Sequence, residues 1–528
     1  MAHIYVVGDH IRLKCSFPEK EAAKAIGAYE WIPSDKAWQY PAYKAQDIIR
    51  MFPRVDYGQD VQAVLDALRT QERARKALKQ QSQGEIACPY PYLYQHQKRA
   101  WFLMTNHKHF ALYMGMGTGK TLTTLTAIDT LQPNRVLIVA PLALLTAAWQ
   151  DDMKTWFPDM ESHVIRGPKG KRHAFYRQQA TGIWIINFES YRMDHELLQE
   201  IEFDMLVIDE SAKLKNPTSS ITKLLLKHSR LVDRRYILSG CPAPNTPFEY
   251  FCQIAFLDPA ILGDNYYKFR IAYGIRSAFN EYDWSMDPAH QDKMMKEIGK
   301  VAIFIDKEDC LDLPDRMHTR RIVPWMPQQQ KVYNQMLKDF IVEYNAHRIP
   351  ANQVITQMMK LREITSGFCL DEQGVAVDIP TKKYTDLIEL LEELGPEQAV
   401  IWAHFRYEIE QIKLRLGDRA TSYYGATKPK DRDGNLEAFL SGEKQYMIAH
   451  PASIGHGVTM VNTRTCIYFS QSHSYELMAQ SAERIYRIGQ NRKCQYFYLL
   501  VEDSIDCKIL EAVQGKQTVS DALLDMLK

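Results

Sequence analysis

The chain has 528 residues, of which 46% are hydrophobic and 24% charged, a composition ordinary for a globular protein long enough to bury two or three cores. With 65 Lys+Arg against 64 Asp+Glu, the formal net charge is +1. This excludes a global positive field, so any nucleic-acid partner must be held by local basic patches. None of the nine cysteines forms a C-x-x-C pair, which argues against a structural zinc site or a disulfide framework and for free thiols in a reducing compartment.

Residues 1 to 58 predict a small α+β unit in the order ββαββα. "HIYVVGDHIRLKCSF" gives two strands around Gly8-Asp9, and "PEKEAAKAIGA" gives a short helix. "YEWIPSDKAWQYP" gives a second hairpin carrying Trp31 and Trp38, and "KAQDIIRMF" closes the unit with a helix. Residues 59–88 predict a connecting helix, with Val61, Val64, Leu65 and Leu68 at helical spacing and a basic far end. The start lacks a signal-peptide core, and the longest apolar run, "VLIVAPLALLTAAW", is too short for a bilayer. The expectation is therefore a soluble, cytoplasmic protein without a membrane partner.

From about residue 90 the pattern becomes an α/β alternation. "FALYM", "VLIVA", "IWIIN", "MLVID" and "RYILS" are continuous apolar runs, the mark of parallel strands covered on both faces. "AVIWA", "TSYYG", "QYMIA", "TCIYFS" and "QYFYLL" repeat the pattern later. Two parallel-sheet lobes result, at 89–315 and 316–528. Residues 260–380 between the two series read as helical, and no chemistry is assigned to them.

Three stretches carry chemistry. "FALYMGMGTGKT" puts a strand before a glycine-rich turn and a helix after it, the setting of a phosphate loop. Gly115, Gly117 and Gly119 let backbone N–H groups converge on phosphate, with Met116 and Thr118 completing the loop. Lys120 would neutralise the β/γ-phosphates and Thr121 would hold Mg²⁺. "MLVIDESAKLKN" places Asp209 and Glu210 just past a buried strand, where α/β sheets bind ligands. Asp209 suits Mg²⁺, and Glu210 suits positioning or deprotonating water. "QSAERIYRIGQ", taken as a helix, puts Gln480, Arg484 and Arg487 on one face fit to grip a γ-phosphate.

This ordered set resembles the Snf2 family of helicase superfamily 2 motors over nearly all of residues 90–510. "LYQHQKRAWFL" resembles its first motif, in which Gln97 would read adenine. "MGTGKT", "VLIVAPLALLTAAW", "IINFESY" and "IDESAKLKN" resemble motifs I, Ia, Ib and II. "LSGCPAPN" resembles motif III with Cys241 in place of threonine, and "MKLREITSGF" resembles an inter-lobe segment. "ASIGHGVTM" resembles motif V, and "QSAERIYRIGQ" resembles the family's last motif with Tyr486 in place of histidine. "FPEKEAAKAIGAYEWIPSDKAWQYP" resembles HARP-type domains of the annealing-helicase branch; the plainer alternative is a structural cap with Trp31 and Trp38 as its core.

The resemblance implies two RecA-like lobes with ATP in the cleft between them. It makes Ser239 and Gly240 coupling residues, and Gly455 and Gly457 likewise. It implies an ATP- and Mg²⁺-dependent translocase and remodeler of double-stranded or branched DNA. Basic stretches at Lys169–Arg172 and at Arg73, Arg75, Lys76 and Lys79 are candidates for phosphate contact or for plain solvated surface. A strand-separating DNA or RNA helicase is the enzymatic alternative, and a nucleotide-gated DNA-binding scaffold is the alternative of another class. The chain carries no chromatin-reading module, so the expected setting is bacterial or phage replication and repair, at the nucleoid or in the host cytoplasm of a phage.

Overall fold

Apart from residues 1, 9, 27–28, 278–283, 311–312, 340, 345–346, 351–353, 455–457, 473, 488 and 515–528, the structure, a computed structural model, describes the whole chain. The chain divides into two compact units, Met1–Asp306 and Lys307–Lys528.

The first unit opens with β1 (His3–Val7), β2 (His10–Lys14), α1 (Lys20–Ile26), β3 (Glu30–Ile32), β4 (Ala37–Pro41) and α2 (Ala45–Met51). A short β5 (Asp56–Tyr57), absent from the sequence reading, pairs parallel with β1, giving the order β3-β4-β2-β1-β5. Ile4, Ile11, Leu13, Tyr40 and Ile48 bury completely against one face of this sheet. The two tryptophans divide the expected roles. Trp38 is 7% exposed and belongs to the core, whereas its cross-strand partner Trp31 is 44% exposed at the sheet edge.

Helix α3 (Gln59–Gln81) packs Val61 and Leu65 into that core. Its basic far end does more than face solvent. Arg75 pairs with Asp258 (2.8 Å), and the Lys79 ammonium donates to the Gly299 carbonyl (3.0 Å). Lys268 donates to the carbonyls of Lys24 and Ala25 (3.2 and 3.0 Å), adding a second tie. Two of the four basic residues considered for phosphate contact on this helix thus fasten it to the domain that follows.

That domain is built on α4 (Gln95–Asn106), β6 (His109–Met114), α5 (Lys120–Leu131), β7 (Arg135–Ala140), β8 (Ser162–Val164), β9 (Gly182–Asn187), β10 (Met205–Asp209) and β11 (Arg234–Ser239). After a hairpin, β12 (Gly274–Arg276) and β13 (Trp284–Met286), comes β14 (Ala302–Ile305). The sheet order is β14-β6-β11-β10-β7-β9-β8, with every pairing parallel. All five residues of β10 are buried, as expected of a strand covered on both faces. The helical reading of 260–380 fails at the sheet strand Arg316–Val323 of the second unit, at three hairpins and at β14, a sheet strand beside β6. Its run "VAIFI" has the same apolar pattern as the others.

The second unit contains β15 (Arg316–Val323), the hairpins β16 (Ile341–Tyr344) with β17 (His347–Pro350) and β18 (Phe368–Leu370) with β19 (Ala376–Asp378), then β20 (Ala399–Trp402), β21 (Ala420–Tyr423), β22 (Tyr446–Ala449), β23 (Thr465–Tyr468) and β24 (Cys494–Val501). Six of these form a parallel sheet in the order β15-β24-β23-β20-β22-β21. A buried ion pair, Lys383 to Asp506 (2.6 Å), ties its helix Lys383–Leu394 to the helix Ile505–Gln514. Among the described residues no helix is long and apolar enough to cross a membrane.

Arg172, the last residue of the basic stretch at 169–172, is buried. Its guanidinium bonds Asp194 twice (2.6 and 3.0 Å), and Asp194 also accepts from Tyr176 (2.9 Å) and, within 3.2 Å, meets His173. Burial alone would raise the Asp194 carboxyl, but the bonds from Arg172, Tyr176 and His173 hold it below the usual range. A depressed carboxylate stabilises the fold above its unfolded pKa of about 4, and that contribution is lost as pH falls through the lower folded value. Replacing Arg172 by methionine leaves this carboxylate unpaired and should destabilise by about 3–5 kcal/mol. Urea denaturation at neutral pH checks this, and a change below about 1 kcal/mol would place the pair among weak surface bridges.

Candidate functional site

In a parallel sheet the loops leaving neighbouring strands emerge at one edge. Ser239 of β11 lies opposite Tyr113 of β6, Leu238 lies opposite Asp209 of β10, and Ile305 of β14 lies opposite Met114. The loops after β6, β10 and β11 therefore leave side by side, with that of β11 in the middle. Gly115, the first loop residue, donates its N–H to the Ile305 carbonyl (2.9 Å), which pins the loop to β14.

The loop after β6 turns through Gly117 (φ +78°) and Gly119 (φ +84°), a left-handed backbone that favours glycine. Gly119 caps α5, so the free N–H groups of that helix start point into the turn. Thr118 is fully buried, and its hydroxyl donates to the Gly115 carbonyl (2.7 Å). The Lys120 ammonium donates to the carbonyls of Met114 (2.9 Å) and Gly115 (3.1 Å), and Thr121 follows in the first turn of α5.

Gln97, expected to face adenine, is placed beneath this loop. It is 3% exposed, accepts from the Tyr94 N–H (2.9 Å) and donates to the Thr118 carbonyl (3.0 Å). His96 meets the same carbonyl at 3.0 Å. A Cβ added at Gly119 would lie 2.0 Å from Gln97 Nε2. One added at Gly240 would meet Met116 Cγ at 2.8 Å and the Lys120 ammonium at 3.5 Å. The middle loop thus packs against the phosphate loop at Gly240, where a side chain would not fit.

Asp209 ends β10, 4% exposed. Its oxygens accept from Trp149 Nε1 (2.9 Å) and from the Glu210 N–H (2.9 Å). Burial raises the carboxyl, against the Trp149 bond and the Lys120 charge, which lower it. Glu210 adopts φ +54°, ψ +56°, the left-handed region rarely entered by a non-glycine residue and often found at functional sites. Ser239 is buried and its hydroxyl accepts from the Cys241 N–H (3.2 Å).

In the second unit the single-helix reading of "QSAERIYRIGQ" is corrected. The helix Tyr475–Ala482 carries Gln480 but ends there, its last carbonyls capped by the Glu483 and Arg484 N–H groups. Arg484 and Arg487 lie beyond it and grip the 458–460 segment instead. Arg484 donates to the Val458 carbonyl (3.3 Å) and accepts from the Met460 N–H (2.9 Å). Arg487 donates to the Thr459 hydroxyl (2.9 Å) and to the Glu483 carbonyl (3.1 Å). Gly455 and Gly457, named as coupling residues, fall outside the described residues.

Sequence reasoning missed several supporting residues. Trp149 closes the "VLIVAPLALLTAAW" run and orients Asp209. Lys307, 4% exposed, bonds Glu483 and the Tyr486 carbonyl, and its ammonium lies 5.0 Å from the Tyr486 ring centroid. The Arg316 guanidinium lies 4.5 Å from the same ring. Two cations on one ring suit the neutral tyrosine that stands in place of histidine. Among the described residues no three His, Cys, Asp or Glu side chains gather around a metal. Asp209 and Thr121 offer a carboxylate and a hydroxyl, oxygen donors of the kind Mg²⁺ takes beside phosphates and water.

Replacing Gly119 by alanine combines the positive φ with the Gln97 clash and should destabilise by about 1–3 kcal/mol. Adding Gln97→Ser should relieve the clash and leave the backbone strain, so the double variant should melt between the single variant and wild type. Thermal unfolding of the three proteins decides it; an unchanged single variant would contradict this packing.

The SNF2-related domain family matches residues 94–367, and the helicase conserved C-terminal domain family matches residues 382–489. The chain is 25% identical over 473 residues to protein p41 of Acyrthosiphon pisum secondary endosymbiont phage 1, covering 83% of this chain and 98% of that protein. It is 23% identical over 462 residues to the ATP-dependent helicase/translocase YwqA of Bacillus subtilis (strain 168), covering 82% of this chain and 48% of that one. It thus spans nearly all of the phage protein and about half of the Bacillus one. Among solved structures, the Sulfolobus solfataricus SWI2/SNF2 ATPase core in complex with dsDNA aligns over 82% of this chain and 93% of that one, at 20% identity and a TM-score of 0.41.

Proposed function

The chain belongs to the SNF2-related family of helicase-like ATP hydrolases, and from that premise we propose that it is an ATP-driven translocase and remodeler of double-stranded or branched DNA. The observation that carries this reading is the shared sheet edge: a glycine loop at a helix start, the Asp209-Glu210 pair and the Ser239-Gly240 turn emerge from three neighbouring strands.

In this reading the N–H groups of Gly117, Gly119, Lys120 and Thr121 cradle the phosphates, and Lys120 leaves its own loop carbonyls to neutralise them. Thr121 and Asp209 would hold Mg²⁺, which when bound would neutralise charge at the phosphates. Trp149 holds the Asp209 carboxylate by one oxygen, which fixes its orientation. Glu210, presented by its left-handed backbone, orients the attacking water and takes its proton. Gln480, Arg484 and Arg487 stabilise the charge that develops on the transferred phosphate. Ser239 and Gly240 report the loop's state to the rest of the sheet, because Gly240 lies against Met116.

DNA is proposed as the track, gripped mainly through backbone phosphates, so affinity should fall steeply with salt and depend weakly on sequence. Residues 1–58 are proposed as a HARP-like reader of DNA structure that fits fork remodelling or strand annealing at the nucleoid. Its exposed Trp31 supports a surface role, and its mixed sheet carries a hydrophobic cluster of its own within the first unit. Residues 59–88 are proposed as the connector, with the two motor lobes at 89–315 and 316–528.

ATPase rates on single-stranded, duplex, forked and RNA substrates test the proposal. Duplex and forked DNA should stimulate most, and Glu210→Gln should lower the rate by roughly 10²–10⁴-fold. Hydrolysis on saturating forked DNA no faster than that of the Glu210→Gln protein would overturn the reading.

A further inference from the structure

The helix Tyr250–Leu257 and the short turn before it, Pro247–Glu249, follow the β11 loop directly. Two of their side chains, Glu249 and Gln253, sit one helical turn apart on one face. Gln253 is fully buried. Its amide oxygen accepts from the Ser211 hydroxyl (2.7 Å), and its amide nitrogen donates to the Pro242 carbonyl (2.7 Å) and to the Glu249 carbonyl of its own turn (3.0 Å). Ser211 is the residue after Glu210, and Pro242 follows Ser239-Gly240-Cys241. One side chain therefore spans the loop bearing the carboxylate and the loop that touches the phosphate turn.

Glu249 makes a second rung. Its carboxylate accepts from the Asn245 side chain (2.7 Å) and the Asn245 N–H (3.2 Å), and lies 3.9 Å from the Lys215 ammonium. Asn245 belongs to the β11 loop and Lys215 to the β10 loop. The same two loops are thus bridged twice, from one helix face, by an amide and by a carboxylate.

We infer that Glu249 and Gln253 form a positioning brace that holds Glu210 for hydrolysis and ties its position to the loop pressing on Met116 and Lys120. The inference rests on the proposed role of Glu210. The physical reason is the backbone of Glu210: a left-handed glutamate relaxes unless its neighbours over-determine it. The Ser211–Gln253 bond lies one residue away and is shielded from water, where a neutral hydrogen bond keeps its direction. The phosphate loop, Gly240, Pro242, Gln253, Ser211 and Glu210 form an unbroken series of contacts. A shift of the β11 loop moves the acceptor of the Gln253 amide and, through it, Ser211. Neither brace residue touches the reacting atoms; both act through Glu210.

Three variants test the brace: Gln253→Leu, which keeps the volume and removes all three hydrogen bonds of the amide; Gln253→Glu, which can accept from Ser211 but cannot donate to Pro242; and Ser211→Ala, which removes a single hydroxyl and carries the test if Gln253→Leu fails to fold. kcat and KM for ATP are measured with duplex DNA on folded protein, beside thermal midpoints and a Glu210→Gln control. The brace predicts that Ser211→Ala and Gln253→Leu lower kcat roughly 10- to 100-fold with KM for ATP within about twofold, because misplacing a catalytic group reduces rate more than binding. Combining them should lower kcat no further than the worse single variant. Gln253→Glu should fall between wild type and Gln253→Leu. Wild-type kcat in both Ser211→Ala and Gln253→Leu, with Glu210→Gln inactive, overturns the brace alone. Wild-type turnover in Glu210→Gln overturns the proposed role of Glu210 instead.

Discussion

The parallel pairing of β11 between β6 and β10 is the constraint on which the rest of the site depends. Side chains alternate across a strand, and strands in a sheet lie about 4.8 Å apart. Three loops leaving neighbouring strands are therefore brought within side-chain reach before any specific contact is made. The register fixes which residues meet: Tyr113 opposite Ser239, and Leu238 opposite Asp209. From there the local chemistry follows in short steps. Gly240 is glycine because Met116 and Lys120 occupy the space a side chain would take. Gly119 is glycine both for its positive φ and for the closeness of Gln97. Asp209 is buried because β10 is covered on both faces, and its carboxyl is held in place by Trp149.

Much of this was legible in the sequence because continuous apolar runs mark strands covered on both faces, and the glycine loop and adjacent carboxylates stand at their ends. All ten of those runs contain sheet strands. The readings that failed did so for identifiable reasons. "VAIFI" has the same signature but lies among polar, helix-forming neighbours, and β14 passed unnoticed. β5 has only two residues, too few for any period to appear. The last motif reads as one helix because the spacing of Gln480, Arg484 and Arg487 suits a single helix face. Tertiary contacts overrule that preference: Lys307 and Arg316 on Tyr486, and the Arg484 and Arg487 bonds to residues 458–459, hold the segment in turns.

The supporting residues were harder to find for a different reason. Gln253, Glu249, Trp149 and Lys307 belong to no spacing rule that one sequence displays. Their partners lie between 4 and 179 residues away, and only folding brings most of them together. A basic run likewise says nothing about which of its members will be buried. Arg172 and Arg75 sit among charged neighbours that face solvent, yet each ends in an ion pair that holds helices together. Local charge density is thus a poor guide to a nucleic-acid surface in a chain whose net charge is near zero.

The account's central claim is that this site drives movement along intact duplex DNA. Displacement of a third strand from a triplex, followed in real time with ATP and with the Glu210→Gln protein, tests it most directly. The account predicts ATP-dependent release of the third strand from wild-type reactions only, with the underlying duplex left paired. Release of duplex strands, or steady ATP hydrolysis with the triplex intact, would contradict it.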